Sequence, residues 1–228
     1  MTFYTFDYST RSEIVGTQYP QVWDFIKGYS PEVIDNGLFS LYNSNIDGFP
    51  TQVPNLSGLK LANGAKYTDF VSGGFGDYLF ILSPKAKLLL EGMKIEEHCF
   101  YPSSIVSVRK KVAKDYYIMK IKSNNLGYID FKQSEFVQQD RYLGKKKGKV
   151  EIMSADDFFN KEKEISLKTN WEDCIRCSTI KMRPEFFELG LDLFKISKVD
   201  NHWYISTKLF NAINQSKLTG LEFTKVEL

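Results

Sequence analysis

Ile81-Leu82-Ser83-Pro84-Lys85, running on to Phe100, and Tyr204-Ile205-Ser206-Thr207-Lys208, running on to Phe223, are one short pattern written twice. Ser83 and Ser206, Lys85 and Lys208, Lys94 and Lys217, and Phe100 and Phe223 are identical pairs, each 123 residues apart with no gap. In both copies an apolar run ends at a serine and a helical period follows. A serine oxygen in that place can accept from an exposed N–H of the first turn, and Pro84 at the first helical position forfeits no hydrogen bond. Ala86, Leu89, Leu90 and Met93 fall at i, i+3, i+4 and i+7, one face of a helix. Leu209, Ala212, Ile213 and Ser216 take the same positions, and three of the four stay non-polar. Tyr78–Leu82 and Trp203–Ile205 read as the strands leading in, Ile95–Tyr101 and Leu218–Val226 as the strands leading out. The pattern predicts two strand–helix–strand units, over about 78–101 and 201–226, within a sheet-rich α+β fold of mixed or antiparallel pairing.

Outward from the repeats, residues 2–8 alternate aromatic and polar, like a strand with one buried face. Residues 19–29 fit a short helix. From about 30 to 76 Gly, Pro, Asn and Ser punctuate short strands such as Leu38–Tyr42 and Tyr67–Val71. Between the repeats, Ile105–Val112, Tyr116–Lys122 and Tyr128–Phe131 read as strands, with turns at Lys110-Lys111 and Asn124-Asn125. Lys145 to Lys149 reads as an exposed loop and Val150–Met153 as a strand. Ser154 caps a short helix carrying Phe158 and Phe159, Cys174–Met182 is a strand, and Pro184 opens a helix through Phe186, Phe187 and Leu189. Nothing resembles a disordered linker. The expectation is one α+β unit over 1–228, with an irregular strand- and loop-rich part over 1–76.

The 228 residues suffice for a real core without staples. The 18 Phe and 13 Tyr favour sheet. Thirty basic against 28 acidic residues, net +2, give no global field to draw nucleic acid or anionic lipid. No run approaches the ~18 apolar residues of a membrane span, and Met1–Asp7 lacks the basic and apolar regions of a secretory signal. Three cysteines without a signal suggest reduced thiols in the cytoplasm.

No stretch carries a complete catalytic or metal motif, and no cofactor is expected. Cys174-Ile-Arg-Cys177 lacks the second ligand pair of a zinc site. Its strand-like flanks set it apart from a thioredoxin-type pair and aim the two thiols at opposite faces. His98-Cys99 are strand neighbours and face apart. Gly144 to Val150 has the wrong glycine spacing and no Ser or Thr for a phosphate loop. Ser72-Gly73-Gly74-Phe75-Gly76-Asp77 lacks dinucleotide-loop spacing, though Phe75 among glycines fits a partner anchor. Asp156-Asp157 and Glu172-Asp173 are adjacent surface pairs with nothing to set them across a cleft. Lys85 and Lys208 sit in first helical turns, where a cation is mildly unfavourable, so their recurrence points to shared ancestry.

Leu193-Phe194-Lys195-Ile196, Trp203-Tyr204-Ile205-Ser206 and Leu218-Thr219-Gly220-Leu221-Glu222-Phe223 resemble the C-terminal signature of Imm-eleven-type immunity proteins of bacterial polymorphic toxin systems. Leu82-Ser83-Pro84, Tyr116-Tyr117-Ile118-Met119, Ile129-Asp130 and Ser134-Glu135-Phe136 are similar to the family's middle segment, so the resemblance covers about 78–228 and 77–228 is the family-like part of the unit. It implies stoichiometric binding of a cognate toxin in the cytoplasm, without turnover or cofactor. Tight neutralisation rests on a few aromatic or Arg anchors; Phe75, Tyr142 and Trp171, each beside small or charged residues, are the candidates. Two other readings stand beside it: a hydrolase with a dispersed site using His98 or His202, and a small-ligand or glycan-binding module.

Overall fold

The computed structural model describes residues 1–29, 41, 48–50, 55–74, 79–123, 125–196, 199–200 and 202–228. The first half runs β1 (Thr2–Tyr8), α1 (Ser12–Val15), β2 (Val22–Phe25), β3 (Leu56–Leu61), β4 (Phe70–Val71), β5 (Leu79–Leu82), α2 (Pro84–Glu91), β6 (His98–Ser107) and β7 (Val112–Ile121). After a 3-10 turn (Leu126–Tyr128) follow β8 (Glu135–Asp140), β9 (Lys146–Val150), α3 (Ala155–Lys168), β10 (Asp173–Thr179) and α4 (Pro184–Glu188). The chain closes with β11 (Leu193–Lys195), β12 (Trp203–Ser206), α5 (Thr207–Gln215) and β13 (Leu221–Glu227). This is the expected sheet-rich α+β fold.

Both repeat serines cap as the sequence predicts. Ser83 Oγ accepts from the Ala86 amide and Ser206 Oγ from the Leu209 amide, each at 3.1 Å. The repeat then extends further than its local sequence shows. One sheet has the order β11-β12-β1-β13, and within the six-stranded sheet β4-β5-β7-β6 repeats that order with the same antiparallel pairings. Met119 of β7 lies opposite both Phe80 and Phe100; Phe6 of β1 lies opposite both Trp203 and Phe223. The strand that follows β6 in the first unit is therefore matched, in the second, by the first strand of the chain.

One apolar cluster joins the two units, and its members come as equivalent pairs: Phe70 and Leu193, Phe80 and Trp203, Leu82 and Ile205, Ala86 and Leu209, Leu90 and Ile213. The units are also clasped reciprocally. Asp69 accepts from Ser83 Oγ (2.7 Å) and from the Thr219 amide (2.9 Å) beyond the other unit's helix. Asp192, its equivalent, accepts from Ser206 Oγ (2.6 Å) and from the Lys94 amide (2.9 Å) beyond the first unit's helix. Burial raises the Asp192 carboxyl, but these donors and Lys208 outweigh it and hold it below the usual range. Lys85 and Lys208 are not idle relics: Lys85 Nζ donates to the Ser216 carbonyl past α5, and Lys208 Nζ pairs with Asp192 at 2.9 Å. A cation at a helix C-terminus complements the exposed carbonyls there.

The outer face of each repeat sheet is covered by unrepeated chain. Phe3, Phe194 and Tyr204 pack with Phe136, Phe158, Ile175 and Phe186 of the β10-β8-β9 layer and its helices. Ile81, Tyr116 and Ile118 pack with Val22, Leu56 and Leu59 of the first part of the chain.

Several local expectations are corrected. Residues 22–25 form strand β2, with Val22 fully buried and Trp23 61% exposed, because pairing to β3 imposes a period of two. Strand 2–8 buries both faces, being central. Ile105–Val112 is broken by the turn at 108–111, where Lys111 has φ 52°, as the Lys110-Lys111 turn requires. Tyr128–Phe131 is the end of the 3-10 turn, with Ile129 bridging Met182. Of Tyr67–Val71 only Phe70–Val71 pairs. Lys146–Val150 is an edge strand beside β8; its lysines suit an unpaired edge, where they oppose pairing with other chains. Residues 151–153 lie outside any strand. Leu38–Tyr42, apart from Leu41, lies outside the described residues.

Candidate protein-binding surface

Tyr142 and Trp171, singled out in the sequence, lie on neighbouring turns; Phe75 lies outside the described residues. The turns meet because β8 and β10 pair antiparallel with Asp140 opposite Asp173. Tyr142 follows the end of β8 and Trp171 precedes the start of β10. The Arg141 amide bonds the Glu172 carbonyl at 2.7 Å, and Arg141 Nε bonds the Trp171 carbonyl at 3.0 Å.

Each turn is built by its own sequence. Asp140 Oδ1 accepts from the Tyr142 and Leu143 amides at 2.9 and 2.6 Å, and Gly144 supplies φ 67°. This Asp-led turn leaves Tyr142 79% and Leu143 83% exposed. The other turn ends α3 in a Schellman arrangement: the Trp171 amide bonds the Ser166 carbonyl (2.6 Å) and the Asn170 amide the Leu167 carbonyl (3.4 Å). Asn170 takes φ 50°, which asparagine tolerates, but Trp171 takes φ 67°, which a bulky side chain rarely adopts. In that motif an apolar residue at the Trp171 position ordinarily packs back on the helix. Trp171 is instead 56% exposed, with Leu167 of the last helical turn also exposed.

The frame beneath is polar and satisfied. Arg141 Nη2 donates to Ser166 Oγ and the Asp173 carbonyl, both at 3.1 Å, and lies 3.5 Å from Glu162. Asp173, expected at the surface, is instead nearly enclosed, because its carboxylate accepts from Lys147 and Gln138, each at 2.6 Å; the Lys147 bond foremost holds its carboxyl below the ordinary range. The tip can therefore present apolar surface without losing its shape. Leu143, Leu167 and Arg141 were not found from sequence. Asp140 and Gly144 bracketing two large apolar residues is the signal that marks the hairpin tip.

The remaining sequence candidates fall elsewhere. Cys174 is buried and Cys177 half-buried, three residues apart on β10 and unbonded, as the strand reading requires. His98 Nδ1 contacts the Glu96 carbonyl at 2.7 Å, and its ring meets Phe100 edge-on. Asp157 serves the start of α3, accepting from the Met153 amide and Lys161.

His202 occupies a cleft of about 500 Å³ with Cys177, Asp200 and Tyr204. His202 Nδ1 lies 2.6 Å from Asp200 Oδ1, and the Tyr204 hydroxyl donates to Asp200 Oδ2. The Asp200 bond raises the His202 pKa above its ordinary value. Burial pushes the Asp200 carboxyl up, but its donors outweigh that and hold it low. Burial pushes the Cys177 thiol up to about 12. Among the described residues no three His, Cys, Asp or Glu side chains stand together as a metal set. No described helix is long and apolar enough to cross a membrane.

No family model matches the chain, nor does any curated protein at a significant level.

Proposed function

We propose that the protein is a non-catalytic binding protein that neutralises a cognate bacterial toxin in the cytoplasm by occluding it one-to-one. One observation carries the binding part of this reading: a tryptophan is held in a left-handed conformation with most of its surface in solvent, beside Tyr142 and Leu143. Such backbone strain costs on the order of 1–3 kcal/mol and concentrates where surrounding structure serves a function. Clustered aromatic anchors on a rigid frame are the usual core of a tight interface. The toxin as partner rests on the C-terminal resemblance.

The test is co-expression with toxins encoded beside the gene, followed by direct binding. Protection by the natural chain, lost in a Tyr142→Ala, Trp171→Ala double variant that still folds, is the expected result. Failure of every neighbouring toxin to bind the natural chain sinks the reading.

The hydrolase reading retains one specific support, the cleft holding His202, Asp200 and Cys177. The state of its thiol counts against it. A thiol pushed to about 12 is un-ionised at neutral pH and so a poor nucleophile there. Ester or peptide turnover abolished by His202→Ala would restore this reading over the first.

A further inference from the structure

A hollow of about 560 Å³ lies between the turn at 62–66 and the hairpin turn at 108–111. It exists because β3 and β6 are parallel, with Leu59 against Ile105 and Lys60 against Val106, so both strands leave the sheet at the same end. Each exit brings cations. Lys60 and Lys66 stand on one wall, Arg109 and Lys110 on the other, and among the described residues no acidic side chain lines the hollow. Lys60 is tied to Asp24 at 2.7 Å. Among the described residues Lys66 Nζ meets only a neutral oxygen, the Glu13 carbonyl at 2.9 Å. Arg109 and Lys110 form no ion pair among the described residues. Between the walls the lining is mostly apolar, including Leu61, Ala65 and Val108, with Asn63 and Ser107 as its neutral polar members.

The walls are fixed in a way that a merely solvated charge run does not need. The Thr17 amide bonds the Gly64 carbonyl at 3.0 Å and the Lys66 amide the Val15 carbonyl at 2.8 Å. Gly64 has φ 92°, and a Cβ there would meet Thr17 Oγ1 at 2.5 Å. The Tyr67 hydroxyl donates to the Ile105 and Val112 carbonyls at 3.3 and 3.2 Å, bolting this turn to the base of the opposite hairpin. Lys114 Nζ sits 4.5 Å over the same ring.

We propose that this groove binds an extended acidic segment of a protein partner. Successive side chains of an extended peptide point to opposite sides, so neighbouring carboxylates reach the two cationic walls while their aliphatic stems cover the apolar floor. Arg109 offers a carboxylate two parallel N–H bonds, and the lysines add point charges. A nucleic acid fits less well: among the described residues no aromatic side chain lines the groove to stack a base, and a net charge of only +2 gives no global field for a phosphate backbone. The groove is distinct from the tip carrying Tyr142 and Trp171, and the proposal stands independently of the toxin reading.

The experiment is an amide NMR titration of the full ¹⁵N-labelled chain with a hexaglutamate peptide, alongside inorganic phosphate and a ten-nucleotide oligo-dT. The peptide is expected to shift amides at 60–66 and 107–111, with affinity falling at least tenfold in an Arg109→Glu, Lys110→Glu variant and severalfold between about 50 and 200 mM salt. Both positions are exposed turn residues; should the reversal unfold, Lys110→Ala with Lys66→Ala, expected to weaken binding at least threefold, replaces it. Shifts elsewhere, shifts unchanged by the variants, or no shift at millimolar peptide overturn the proposal. So does phosphate or oligo-dT saturating the same amides at a lower concentration than the peptide. Because the probe is no toxin, these outcomes leave the neutralisation test to stand or fall separately.

Discussion

Deleting residues 1–8 removes β1 from between β12 and β13, and the consequence can be worked from two side chains. Phe3 and Phe6 are buried on opposite faces of that strand, one in each of two separate clusters. Truncating a buried Phe costs about 3–5 kcal/mol, so the two together account for roughly 6–10. A whole domain is stable by only about 5–15 kcal/mol, and both neighbouring strands also lose their hydrogen-bonded partner. The deletion variant is therefore expected to lack a cooperative urea transition followed by circular dichroism and tryptophan fluorescence. The rescue is more discriminating. Thr2 lies opposite Glu227 as Val112 lies opposite Ser107 at the base of the β6–β7 hairpin. A chain beginning at Ser9, with residues 1–8 attached after Leu228 through a copy of Val108-Arg109-Lys110-Lys111, should place the same strand in the same slot. Closing so short a loop costs about 1 kcal/mol, so this permutant should unfold cooperatively within about 1–2 kcal/mol of the natural chain. A deletion variant with a native midpoint, or a permutant as unstable as the deletion, would refute the equivalence of β1 and β7.

Three further outcomes follow from particular residues. Gly220→Ala should cost at least about 2 kcal/mol in urea unfolding, since φ is 107° and the new Cβ would stand 2.0 Å from the Phe70 carbonyl oxygen; Gly144→Ala, at φ 67° with open space around it, should cost only about 1 kcal/mol. His202, with its pKa raised above 6.5, contributes stability that is present below that value and lost as pH rises through its folded pKa; Asp200, lowered from 3.8, contributes stability present above 3.8 and lost as pH falls through its folded pKa. Discounted for solvent at the half-exposed His202, the pair should add about 0.5–1 kcal/mol between roughly pH 4 and 6.5, and a pH–stability profile unchanged by Asp200→Asn would contradict this. Arg141→Met should cost about 1–3 kcal/mol and speed hydrogen exchange of amides 166–173 while leaving α2 and α5 protected; uniform acceleration across the chain would show that Arg141 is no local clamp.

The repeat was legible in sequence because its devices are local. A serine cap needs only the next three residues, and the helix faces need only their own period, so Ser83, Ser206 and the pairs Ala86–Leu209 and Leu90–Ile213 could be placed before any fold was known. Local reading failed where a distant partner decides. Residues 22–25 are extended because β3 lies beside them, and Lys146–Val150 is a strand because β8 offers it an edge. Tyr142 and Trp171 carry local turn signals, but their meeting depends on the pairing of Asp140 with Asp173. The basic groove is less legible still, since Lys66 and Arg109 converge only because β3 and β6 run parallel.

The sequence by itself determined that two strand–cap–helix–strand units exist and which helix faces they bury, because helix period and capping act over a few residues. The tertiary structure alone decided that β1 completes the second unit, that Asp69 and Asp192 clasp each unit to the other, and which aromatic rings remain in water. Those outcomes depend on pairings between residues as far apart as Phe6 and Phe223, for which no local pattern carries the information.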